Sequence, residues 1–129
     1  LKLYRNLTLT ALKRFLEELS GIRFGAFSGL GIYFSYDYTC AKTFLSNLNR
    51  NYEYVVVLHG RVLFKDINWW DTLLINSSLE ITAMREKEIR VNPRSSIEIY
   101  KIEVFDRKLN LLETRKKSYY TTAFSRELK

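Results

Sequence analysis

Cysteine occurs once in this chain, as Cys40, and histidine once, as His59. Without a second cysteine no internal disulfide forms, so the fold does not depend on an oxidising compartment. One Cys and one His fall short of the three or four soft ligands of a zinc site, and no metal is expected. No apolar run approaches the roughly 20 residues that cross a bilayer, so no membrane association is expected either. The start lacks the charged n-region and apolar h-region of a signal peptide, and the chain carries no internal repeat or low-complexity linker. It opens on Leu1 rather than Met, as a domain excised from a longer protein does. That leaves localisation open between the cytoplasm and a delivered toxin or effector.

What is present suits a single folded domain over residues 1–129. This length is enough to bury a core but too short for two ordinary domains. Hydrophobic residues make up 47% of the chain, more than disordered chains carry. The formal net charge of +7 favours an anionic partner, either nucleic acid or a dinucleotide with two phosphates. The basic clusters Arg107-Lys108 and Arg115-Lys116-Lys117 read as a solvated tail. Cys40 reads as core filler in a helix.

Hydrophobic periodicity gives the order of elements. Leu1 to Arg5 alternates as a short strand. Leu9, Leu12, Phe15, Leu16 and Leu19 recur at helical spacing, with Thr8 or Thr10 as N-cap and Ser20-Gly21 as the stop. Ile22 to Phe27 and Leu30 to Ser35 are β-rich. A second helix is expected from about Tyr38 to Leu48. Tyr54 to Leu58 is the strongest strand, punctuated by Gly60 before Arg61 to Phe64. The pair Trp69-Trp70 falls in a partly helical stretch and reads as core or interface packing. Glu88 to Val91, Ile97 to Phe105 and Leu109 to Glu113 complete a β-rich second half, with Asn92-Pro93 and Asp106-Arg107-Lys108 as turns. The class is α+β, with strands expected in two packed sheets, antiparallel or mixed.

Three segments carry chemistry. The first is Leu3-Tyr4-Arg5-Asn6; Arg5 offers a rigid fork of charge-assisted donors suited to phosphate, though an arginine at a strand end is commonly a solvent-facing charge. The second is Gly29-Leu30-Gly31-Ile32-Tyr33-Phe34-Ser35, followed by Ala41, where Gly31 permits close approach of a ligand to the backbone. Its plainer reading is an aromatic core strand. The third is Glu86-Lys87-Glu88-Ile89. On an extended chain this Glu-x-Glu spacing puts both carboxylates on one face, about 7 Å apart.

Taken in order, the three segments resemble the ADP-ribosyltransferase family over roughly residues 3 to 104. The first is similar to the Tyr-Arg-Gly of the arginine-type branch, with Asn6 in place of the Gly. The second is similar to the poly(ADP-ribose) polymerase branch, with Tyr33-Phe34-Ser35 where toxins carry Ser-Thr-Ser. The third, with Pro93 and the strand from Ile97 to Val104 after it, is similar to the ending of arginine-modifying members.

The resemblance implies an ADP-ribosyltransferase-like fold, two packed β-sheets around an NAD cleft with flanking helices. It implies a mono-ADP-ribosyltransferase, a glycosyltransferase with NAD as its only cofactor and a protein arginine as acceptor. Arg5 would hold the NAD pyrophosphate beside Tyr4. Tyr33 would stack on nicotinamide near Gly31, and Ser35, or else Ser28, would supply a hydroxyl that positions the glutamate. Glu88 would stabilise the oxocarbenium-like ribose left as nicotinamide departs. Glu86 would orient and help deprotonate the acceptor. Two other readings share the fold: a binding module without catalysis, and a transferase whose acceptor is nucleic acid. Water as acceptor, giving an NAD glycohydrolase, is a further variant.

Overall fold

The computed structural model describes residues 1–18, 32–47, 52–70, 72–73, 87–92 and 95–122. The elements are β1 (Lys2–Leu7), α1 (Leu9–Glu18), β2 (Ile32–Ser35), α2 (Tyr38–Asn47) and β3 (Tyr54–Arg61), then β4 (Glu88–Val91), β5 (Ser96–Asp106), β6 (Leu111–Arg115) and β7 (Tyr119–Thr122). A single 3-10 turn, Phe64–Asp66, follows β3. The fold is α+β. Among the described residues no helix is long and apolar enough to cross a membrane.

The strands expected to divide between two packed sheets instead join in one. Its order is β4-β2-β1-β3-β5-β6, with β7 beside β5. Every pairing is antiparallel. The physical reason lies in β1 and β3. β1 is hydrogen-bonded along both edges, to β2 and to β3. β3 is in turn paired on both edges, to β1 and β5. Hydrophobic periodicity shows which side of a strand is buried, but not which strands share a ladder.

The central strand earns its place by composition. Val55, Val56, Val57 and Leu58 are all buried, so this stretch is covered on both faces, as a uniformly apolar strand requires. Gly60 does not end β3 but lies within it, at a shift of register against β5 between His59 and Gly60. A Cβ there would lie 3.3 Å from Ile99 Cδ1, so the glycine permits close packing at the irregularity.

Alternation along the strands separates two faces. One carries Leu3, Leu7, Phe34, Val56, Leu58, Ile89, Val91, Ile97, Ile99 and Ile102, with Leu12 of α1 among them. The other carries the smaller cluster of Val55, Val57 and Phe105, against which Tyr4 and Tyr38 pack. Asn6 Nδ2 donates to the Ala41 carbonyl at 2.9 Å, tying α2 to this second face. The helices therefore lie on opposite faces of the sheet. Both begin close to expectation: the Leu12 N–H donates to the Thr8 carbonyl at 3.0 Å, and α2 starts at Tyr38.

The basic tail of the sequence reading is in part a strand. β7 pairs with β5 from Ser96↔Thr122 to Ile99↔Tyr119, so Arg115-Lys116-Lys117 link two strands along one edge. The expected strand from Ile22 to Phe27 lies outside the described residues.

Candidate functional site

The strand register brings distant parts of the sequence into one row. Glu88 pairs with Ser35, Ser35 with Tyr4, Tyr4 with His59, and His59 with Lys101. Residues directly opposite in an antiparallel ladder project to the same face. Three residues expected at the site, Tyr4, Ser35 and Glu88, are thus neighbours on three adjacent strands, although 84 positions separate the first from the last.

The other expected residues fall differently. Tyr33 is the register partner of Arg90, two positions along the β2-β4 ladder from Ser35↔Glu88 and of the same parity. Gly31, Glu86 and Ser28 lie outside the described residues. Arg5 stands on the opposite face from Glu88, in alternation with Leu3 and Leu7 of the larger core and paired with Leu58. The sequence expectation joined Arg5 to Glu88 in one cleft; the strand has period two, so the face that takes Tyr4 turns Arg5 away. By register, Arg5 and Glu88 project from opposite faces of the sheet. Arg5→Ala is therefore expected to leave NAD affinity within about threefold of wild type by calorimetric titration. A loss of tenfold or more, as removal of a charge-assisted phosphate contact produces, would return Arg5 to the site.

Glu88 is not a bare carboxylate. Its Oε2 accepts from Arg90 Nη2 at 2.8 Å, and the two side chains are only 13% and 8% exposed. Arg90, two residues on in the extended strand β4, shares the glutamate's face. That spacing was legible as Glu88-Ile89-Arg90, and the sequence reading passed over it. Lys87, just before Glu88, has φ 49°, in the left-handed region, so the extended chain on which Glu-x-Glu was expected to align its carboxylates does not hold at this residue. Its Nζ donates to Asp37 Oδ2 at 3.1 Å.

Asp37 closes the other side of this corner. Its Oδ1 accepts from the Cys40 N–H at 2.9 Å, the N-cap bond of α2. The Cys40 backbone bond and then the Lys87 ammonium hold the Asp37 carboxyl below its ordinary value. Ser35 Oγ accepts from the Asp37 N–H and donates to its carbonyl, both at 3.1 Å. The hydroxyl expected to position the glutamate therefore also holds the turn into α2. An aspartate three residues before Cys40, just ahead of a helical pattern, is a cap signature readable from sequence.

Further along the row lies a buried polar cluster that sequence reasoning missed. His59 Nε2 bonds Glu103 Oε1, and the Tyr38 hydroxyl donates to the same oxygen at 2.9 Å. Lys101 Nζ lies 3.9 Å from the other oxygen. Tyr4 sits edge-on to both rings, with centroids 5.5 Å from Tyr38 and 5.2 Å from His59. Burial pushes the His59 imidazole below its ordinary value, against the opposing pull of Glu103. Burial also raises Glu103, but the His59 and Tyr38 hydrogen bonds outweigh it and leave the carboxyl below the usual range. Burial and then the carboxylate push the Tyr38 hydroxyl up. These directions describe a neutral imidazole donating to an ionised carboxylate, so Nε2 carries the proton. His59 and Glu103 are 44 positions apart, and no local spacing announces them.

The paired tryptophans, expected in core or interface packing, do not enter the core. Trp70 is 73% exposed, while Trp69 lies against the ring of Phe64 with centroids 4.7 Å apart. The segment runs beside β4: the Asn68 N–H donates to the Arg90 carbonyl at 2.8 Å, and the Arg90 N–H donates to Thr72 Oγ1 at 2.9 Å. The Trp69 indole adds a further bond, its Nε1 donating to the Phe64 carbonyl at 3.2 Å.

No protein-family model matches this chain, and neither a curated protein nor a solved structure is similar to it at a significant level. The arrangement must therefore be interpreted from its own geometry. One carboxylate is held by a buried guanidinium, flanked by a tyrosine and a serine on neighbouring strands. Beyond them stands a neutral histidine locked by a second carboxylate. Among the described residues no three of His, Cys, Asp and Glu converge as a metal ligand set would.

Proposed function

We propose that the chain is an NAD-dependent mono-ADP-ribosyltransferase whose acceptor is a protein arginine and whose principal carboxylate is Glu88. The observation that carries this reading is the register row Tyr4↔Ser35↔Glu88. Three segments singled out for their chemistry, far apart in sequence, are adjacent strands with one residue of each facing the same way. NAD is the substrate and supplies the ADP-ribose. Glu88 faces the positive charge that develops on the ribose as nicotinamide leaves, and a fixed carboxylate near developing charge lowers the barrier. Arg90 orients that carboxylate through a charge-assisted bond. Glu86, two residues earlier, receives the proton from the attacking arginine.

A second reading has its own support. The Glu88 carboxylate is already bonded to Arg90, and the Ser35 hydroxyl is used at the Asp37 turn. A binding module that keeps the fold and lacks turnover accommodates both facts without rearrangement.

One experiment separates the readings. The protein is incubated with labelled NAD in buffer and, separately, with a cell lysate; nicotinamide release and label on macromolecules are measured. The transferase reading expects release and label that survives nuclease but not protease. Label removed by nuclease would move the acceptor to nucleic acid. Saturable NAD binding with no release would leave the binding module.

A further inference from the structure

The far edge of the sheet is built differently from the rest. All five residues of β6 are exposed. Leu111 and Leu112 are 53% and 54% exposed although they lie in a strand. β6 is hydrogen-bonded to β5 on one side, and it ends the strand order, so among the described residues nothing pairs with its other side. Such an edge presents a row of backbone donors and acceptors ready to accept another strand.

We propose that the chain self-associates through this edge, two copies pairing antiparallel about Thr114 to continue one sheet across a two-fold axis. The occupant is argued from the charge sequence Glu113-Thr114-Arg115. A two-fold axis perpendicular to the sheet keeps each face on its own side, so a residue meets one of the same parity. Centred on Thr114, the ladder sets Glu113 opposite Arg115 of the second copy, and Arg115 opposite Glu113, giving two cross-strand ion pairs at once. Centred on Glu113, it would set two glutamates face to face, which is unfavourable. Within one chain the same two side chains approach only to 3.8 Å and are 62% and 47% exposed, so both remain available. A ladder of this length is small beside a standard interface, so the association is weak and concentration-dependent. The inference is independent of the transferase reading.

Sedimentation velocity over a concentration series tests it. Wild type is expected to show a dimer that grows with concentration. Glu113→Arg sets arginine against arginine and Arg115→Glu sets glutamate against glutamate, so each should weaken dimerisation by roughly tenfold or more. The two changes shift net charge in opposite directions, so a general charge effect would drive them apart, whereas the ladder weakens both. The double variant Glu113→Arg/Arg115→Glu restores complementarity and should return to within about threefold of wild type. Thr114→Pro, which removes a ladder donor, should be monomeric. A wild type that stays monomeric at every concentration overturns the proposal, whether its edge is then free or covered by another part of the chain. A double variant no better than the singles, or a dimer that survives Thr114→Pro, also overturns it.

Discussion

Glu88→Gln is expected to abolish both nicotinamide release and label transfer, each by roughly a hundredfold or more, because it removes the fixed charge that faces the developing cation. Glutamine is chosen over alanine for a structural reason. Arg90 is nearly buried against this carboxylate, and truncating one partner of a buried pair leaves an uncompensated charge that costs about 3–5 kcal/mol. Alanine would then confound catalysis with unfolding. Glutamine retains an oxygen for the guanidinium, so the melting temperature should fall far less than the activity. Glu86→Gln provides the contrast, with transfer suppressed and hydrolysis partly kept. Retention of both activities in Glu88→Gln would remove Glu88 from catalysis and leave the binding module. Equal loss of both in Glu86→Gln would end the division of labour between the glutamates.

Glu103→Ala should produce a large loss of stability although Glu103 lies outside the apolar core. Its Oε1 accepts from His59 and from the Tyr38 hydroxyl, so truncation strands two donors in a largely buried cluster. At about 1–3 kcal/mol per stranded group, the total is on the order of 3 kcal/mol, which for a chain of this size lowers Tm by about 10 °C. Glu103→Gln keeps an acceptor and should lose less than half of that. A Glu103→Ala protein that melts within a degree or two of wild type would show that the cluster does not hold α2 to the sheet.

The same cluster sets a pH dependence. His59 is held below its ordinary value of 6.5 in the fold, so the unfolded chain binds the proton more readily. Stability from the neutral imidazole is then complete above pH 6.5 and is lost as pH falls towards the folded value. Glu103 is held below its ordinary value of 4.5, so its contribution is complete above that pH and is lost as pH falls through the folded value. Both act in one direction, and urea midpoints should decline from neutral pH into the acid range, first through the histidine and then through the carboxylate. His59→Gln should flatten the upper part of that profile. A wild-type midpoint unchanged between pH 7 and pH 5 would contradict the linkage.

Local periodicity was enough to place most of the helices and strands. Period-two alternation and the run Val55 to Leu58 gave β1, β3, β4 and most of β5, and the leucine spacing from Leu9 gave α1. Those patterns are legible because a strand or helix in contact with a core must repeat at its own backbone period. Glu88 and Ser35 were singled out from local motifs alone. Which strands share edges, and hence which residues share a face, is set by long-range pairing. The assignment of Arg5 depended on such pairing: adjacent to Tyr4 in sequence, it belongs to the other side of the sheet. Glu103 and His59 form one unit only because β3 and β5 are paired in a particular register, and backbone hydrogen bonds of that kind are identical at every residue. Register is chosen by the packing of whole faces, so no short stretch of sequence encodes it.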